Sequence, residues 1–319
     1  MDYRSEVMMS DNNQKNNDAA FISVQDQPHP AIKWGWLRAT ILLIVWFIVY
    51  AVLSGAGALL VIVVSGQDPA ALMSDAANLI ETLGVGATIF ISLTGFGGTM
   101  LCVWIFRRFI DRRSLLSLGF DIRNYGNDLL AGMGWGAGLI VIGFVVLYLS
   151  GMLEIQTIEF QPGSFFLYFI LFSLVALNEE ILIRGYVLTN LMDSMNKYLA
   201  LLVSSVLFAL LHLANANMSV LAFINLILAG LILGIYYIHK RNLWFPIGMH
   251  LTWNFFQGPV FGFEVSGHKT SSIIIQKVNG PDLLTGGAFG LEGSLIATVA
   301  IVMITLAIHW KHRTVTNLD

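Results

Sequence analysis

Apolar residues along this chain do not alternate with polar ones. They run on for about twenty residues at a time, broken by short polar stretches. Runs of that length match the ~30 Å hydrocarbon core of a bilayer, at 1.5 Å of rise per helical residue. Allowing roughly 20 residues per crossing predicts helices at about 38–64, 85–106, 128–150, 165–190, 198–214, 219–238, 243–260 and 294–310. The expected fold class is all-α, a polytopic membrane bundle of about eight transmembrane helices over residues 32–313. A polar tail (1–31) precedes it and a short one (314–319) follows. The first tail lacks the apolar core of a signal peptide and is expected to be disordered and cytoplasmic.

Composition supports the same class. Hydrophobic residues make up 56% of the chain and charged ones 12%, half the usual share for a soluble domain. Membrane lipid is therefore the expected surroundings. A net charge of −3 with no basic stripe leaves no footprint for phosphates, so nucleic acid is not an expected partner. Cys102, the single cysteine, lies inside an apolar run and excludes both an internal disulfide and a thiolate metal cluster.

Charge placement sets the orientation, because Lys and Arg of short loops stay in the cytoplasm. Basic residues cluster before the first helix (Lys33, Arg38), between the second and third (Arg107, Arg108, Arg112, Arg113, Arg123), at Lys197, at Lys240 and Arg241, and at Lys311 and Arg313. The loops around 66–84 and 151–164 carry none. Both termini are thus expected in the cytoplasm, with the loop near 261–288 (Lys269, Lys277) the one mild exception. Gly132, Gly134, Gly136 and Gly138, and Gly230 with Gly234, are expected to let helix backbones approach closely.

Ionisable residues well inside the predicted spans are few: Glu179, Glu180 and Arg184 in the fourth, His212 in the fifth and His250 in the seventh. Each charge costs about 2.5–3.5 kcal/mol at bilayer centre on insertion scales, so these groups need partners, and the obvious partners are one another. Glu180 and Arg184 are four apart and share a face, as expected of a structural ion pair. Glu179 is rotated by ~100° and addresses another neighbour. Phe208 and His212 share one helix face, as do His250 and Asn254. A carboxylate, two imidazoles and an amide on helices otherwise free of charge point to a site rather than to packing.

These elements, Glu179-Glu180-x-x-x-Arg184, Phe208-x-x-x-His212 and His250-x-x-x-Asn254, resemble in order and spacing the motifs of the CPBP intramembrane proteases. That family, also called Abi, includes the CAAX prenyl endopeptidases of the Ras-converting type. The resemblance covers about residues 165–260 and implies an intramembrane endopeptidase acting on a membrane-associated peptide or protein. It implies that Glu179 and His212 activate water, that His250 and Asn254 stabilise the oxyanion, and that Glu180, Arg184 and Phe208 support them. The expected location is the plasma membrane of a bacterium.

Two mechanisms fit these residues. Glu179, His212 and His250 could ligate zinc, as in a metalloendopeptidase, or Glu179 could activate water without metal. Helix depths predict a cavity open to the cytoplasm, with Glu179 roughly 16 Å and His250 roughly 10 Å from that side. An alternative is a non-enzymatic immunity or regulatory protein that binds a membrane-active peptide. A secondary transporter is disfavoured, because all the buried charge falls in one half of the chain and no repeat is visible.

Overall fold

The computed structural model describes residues 29–66, 83–121 and 125–313. Most of the expected N-terminal tail, the 67–82 stretch, Arg123 and the 314–319 tail lie outside the described residues. Helices α1 (Gly35–Ser65), α2 (Val85–Ile105), α3 (Gly126–Leu149), α4 (Pro162–Glu180), α5 (Lys197–Leu211), α6 (Val220–Lys240), α7 (Trp244–Phe255) and α8 (Leu295–Arg313) fall on the apolar runs. Five stretches are long and apolar enough to cross a membrane by length and composition: 35–65, 85–110, 126–149, 162–192 and 220–240. Helix α5 and residues 295–311 are apolar but shorter.

Three helices do not end where their α-helical hydrogen bonding does. π-helical turns continue α2 at Phe106–Ile110, α4 at Ile181–Leu188 and α7 at Phe256–Val260. The turn after α4 begins directly behind Glu180, and the Thr189 hydroxyl donates to the Arg184 carbonyl at 3.4 Å. Such wide turns are rare and cluster at functional sites.

The bundle is held by close helix approaches. Gly132 and Gly136 of α3 press on the Phe245 and Met249 carbonyls of α7, where any side chain would overlap the backbone. Gly230 and Gly234 seat α6 against Ser205 and Leu201 of α5. Gly134 and Gly138, expected to pack likewise, have nothing within 4 Å, because they lie on the other faces of α3. The apolar runs gave no sign of a two-stranded antiparallel sheet, in which β1 (Leu153–Ile158) pairs with β2 (Ile274–Val278), Leu153 facing Val278.

At the end of the bundle that carries the basic residues lies a second concentration of charge. Arg38 of α1 donates to Asp111 Oδ1 at 2.8 Å and to Asp193 at 2.8 Å, and Arg107 donates to Asp111 Oδ2 at 2.9 Å. Arg38, Arg107 and Asp111 are all buried. These arginines read from sequence as free loop charge, whereas in the fold they tie α1, α2 and the end of α4 together.

Candidate active site

Helix α4 delivers two adjacent carboxylates in different directions. Glu180 is fully buried, accepts from Arg184 at 2.8 Å and contacts His250 Nδ1 at 2.9 Å. Arg184 also donates to the Gly230 carbonyl at 3.3 Å and lies over the Phe208 ring, 4.5 Å from its centroid. The expected ion pair is therefore present and extends to α6 and α5. Glu179 instead faces the two histidines, its Oε2 standing 3.7 Å from His212 Nε2 and 3.8 Å from His250 Nε2.

Hydrogen bonds assign the tautomers of both rings. His212 is the C-cap of α5, and its Nδ1 lies 2.8 Å from the carbonyl of Phe208. A carbonyl only accepts, so Nδ1 carries the proton and satisfies one of the open carbonyls at the helix end. This accounts physically for the four-residue spacing from Phe208 to His212. His250 Nδ1 faces the Glu180 carboxylate in the same way. In their neutral forms both rings then turn a bare Nε2 lone pair toward Glu179 Oε2, which is buried and makes no hydrogen bond. Three acceptors converge on a point that calls for a proton donor or a cation.

Donor spacing tests the fit of zinc. Ligands of a tetrahedral zinc at about 2.0–2.1 Å stand roughly 3.3–3.4 Å apart, closer than the pairs around Glu179 Oε2. Among the described residues no three His, Cys, Asp or Glu side chains form a group able to hold a metal ion. As placed, the expected ligand set of Glu179, His212 and His250 does not form a closed zinc shell. The same atoms suit a small hydrogen-bonding molecule between them.

The four residues expected to carry the chemistry, Glu179, His212, His250 and Asn254, all line one cavity of about 410 Å³. Its wall is largely apolar, with Leu171, Phe172 and Val175 of α4 and Leu226, Ala229 and Leu233 of α6. From mid-bundle the lining rises through Thr88 and Ser92 near the start of α2 to Asn215 and the loop Val265–Thr270. These loops stand at the end of the bundle opposite the basic residues. The lining thus extends toward the end opposite the basic residues, whereas the expectation placed the opening on the basic side. Counting depth along single helices missed that α5 stops at His212 and that two loops from the far end complete the chamber.

Sequence reasoning also missed Glu292. It lies between β2 and α8, lines the cavity and is 9% exposed. Its Oε1 accepts from the Ser266 amide at 2.5 Å and the Ser266 hydroxyl at 2.7 Å, and its Oε2 accepts from Trp253 Nε1 at 3.3 Å. Ser266 holds a left-handed backbone, φ 49°, beside Gly267, which packs on the Ala216 carbonyl. A lone acid flanked by Gly290 and Gly293 was the available signal, but it sits too far along the chain to be joined to the motifs.

An apolar helical bundle here holds a carboxylate, two imidazoles and an amide around one internal cavity. Residues 161–256, which run from the start of α4 to the end of α7 and contain all three motifs, match the family described as type II CAAX prenyl endopeptidase Rce1-like. The match covers under a third of the chain, and at family level it supports a membrane-embedded protease of CAAX type. No curated protein and no solved structure matches the chain significantly.

Proposed function

We propose that this protein is an intramembrane endopeptidase that cleaves a membrane-associated peptide or protein with a water activated by Glu179. The observation that carries the reading is the convergence of His212 Nε2 and His250 Nε2 on the unpartnered Glu179 Oε2. A water placed among them donates one proton to Glu179 and the other to an imidazole, and its oxygen is left pointing at the substrate. As that oxygen attacks the carbonyl carbon, Glu179 takes its proton. When the C–N bond breaks, Glu179 returns the proton to the leaving amine.

Asn254 offers an amide N–H to the oxyanion. His250 offers Nε2–H when doubly protonated, with Nδ1 still held by Glu180. Arg184 neutralises Glu180 in this scheme, so that Glu179 is the carboxylate left for proton transfer. The apolar chamber suits a lipid-anchored or amphipathic substrate, whose backbone must be unwound and shielded from lipid before it can be cut.

The test is cleavage of a fluorogenic peptide library that includes prenylated C-terminal tetrapeptides, in liposomes, by wild type and Glu179→Gln, each with and without a zinc chelator. Cleavage by wild type alone, indifferent to chelator, is expected. Chelator-sensitive cleavage restored by zinc would replace the metal-free mechanism. A folded wild type that cleaves nothing but binds membrane-active peptides would favour the immunity or regulatory reading.

A further inference from the structure

Besides Glu292, helix α1 reaches the cavity from outside the matched segment. Tyr50 lines the chamber that Glu179 occupies. We infer that Tyr50 is a further catalytic residue, whose phenolic O–H donates a hydrogen bond to the substrate carbonyl oxygen as it becomes an oxyanion. The inference rests on the endopeptidase reading above.

Donor supply is the first argument. The cavity is rich in acceptors: Glu179 Oε2 and Asn178 Oδ1 are buried without hydrogen-bond partners, and both imidazoles turn Nε2 inward. The Nδ1–H groups of His212 and His250 are already committed to Phe208 and Glu180. A tetrahedral intermediate needs donors at its oxygen, and Asn254 is the one motif residue that brings a donor whatever its protonation state. A phenol, with an ordinary pKa near 10, also donates at neutral pH.

The hydroxyl itself is the second argument. Most hydroxyls on these two helices are satisfied inside the helix, Ser54 donating to the Tyr50 carbonyl at 2.6 Å and Thr94 to the Ile91 carbonyl at 2.7 Å, whereas Ser92, like Tyr50, lines the cavity. The Tyr50 side chain reaches away from its own helix, and among the described residues its hydroxyl makes no hydrogen bond. A phenol lining a cavity keeps its O–H available to a ligand, and a phenylalanine would pack as well if packing were its only task.

Third, the ring is held in place. It rests on Gly95 of α2, where even a methyl group would overlap it. It also packs at a tilt against Trp46, with centroids 5.2 Å apart, and Trp46 is pinned by donating to Thr99 at 2.8 Å. A side chain seated on a glycine and backed by a fixed indole is preorganised, as a donor aimed at a transition state must be. Its proton stays on the phenol throughout, and Glu179 carries the transferred one.

The experiment compares wild type, Tyr50→Phe, Gly95→Ala and Glu179→Gln for kcat, KM and thermal unfolding in the same liposome or detergent assay. Tyr50→Phe keeps the ring and should lower kcat by about 10²-fold, the loss typical of one oxyanion donor, with KM and melting temperature close to wild type. Gly95→Ala should lower kcat in the same direction by displacing the ring. Tyr50→Phe within twofold of wild-type kcat, or an effect confined to KM, would overturn the inference while an inactive Glu179→Gln leaves the endopeptidase reading standing. A wild type without turnover on any substrate would remove both.

Discussion

Two regions of this bundle bury charge, and they treat it in opposite ways. Around Asp111 every oxygen is used: Oδ1 accepts from Arg38 and from Tyr186 at 3.3 Å, and Oδ2 accepts from Arg107 and from Asn190 at 3.4 Å. Around Glu179 the neighbours stand back at 3.7 and 3.8 Å, and one carboxylate oxygen has no hydrogen bond. A saturated carboxylate has no capacity left for substrate, so Asp111 can only hold helices together. An undersaturated one retains a basic lone pair for water, at some cost to stability. Buried charge alone therefore does not mark the site, but a carboxylate oxygen left without a donor beside a cavity does.

The largest effect should come from breaking the open region. Glu179→Gln removes the base while keeping the shape and should lower turnover by about 10²–10⁴-fold. Its melting temperature in detergent should be unchanged or slightly raised, since no hydrogen bond to Oε2 is lost. A variant that keeps full turnover would end the assignment of Glu179 as base.

Next in size is the closed region. Asp111→Asn leaves Arg38 and Arg107 buried without a full counter-charge and should destabilise the protein by about 3–5 kcal/mol. Thermal unfolding and the yield of folded protein measure this, and the surviving molecules should cleave at close to the wild-type rate. A stable Asp111→Asn protein would mean that water reaches the network and that the two regions differ less than their hydrogen bonds indicate. Asn254→Ala, which removes one oxyanion donor, should cost roughly 10²–10³-fold in kcat with little change in melting temperature. A change in KM alone would instead make Asn254 a binding group.

The two regions also differed in how far they could be read from sequence. Glu179, Glu180, Arg184, His212 and His250 were conspicuous because each interrupts an apolar run, and α1 to α8, counted with their π-helical continuations, begin and end within a few residues of the runs because the bilayer dictates their length. Arg38 and Arg107 were misread as loop charge, because burial depends on which helix ends meet. The π-helical turn after Glu180 was invisible for a related reason: hydrogen-bond register inside a helix is decided by packing, here by Arg184 reaching Phe208 and the Gly230 carbonyl. Strands β1 and β2, five or six residues long, carry no distinctive pattern. Glu292 enters the site through contacts with Ser266 and Trp253, 26 and 39 residues away in sequence.

Glu292 lies between the two extremes, a buried carboxylate that is hydrogen-bonded yet still lines the cavity. It stands outside the membrane-spanning helices. Burial pushes its carboxyl above the ordinary carboxylate value, and the donors from Ser266 and Trp253 offset this only in part. A carboxyl whose folded pKa exceeds its unfolded one adds stability that is fully present below the unfolded value and is lost as pH rises through the folded value. Wild type should therefore lose stability relative to Glu292→Gln as pH rises from the ordinary carboxylate range upward, and the variant, which cannot ionise, should show a flatter profile. At neutral pH the expected difference in melting temperature is small, because Gln keeps an acceptor for Ser266 but gives up the charged one. Parallel pH profiles for the two proteins would show that Glu292 titrates as it does in water. It would then belong with Asp111, as a carboxylate fully stabilised by its neighbours, rather than with Glu179.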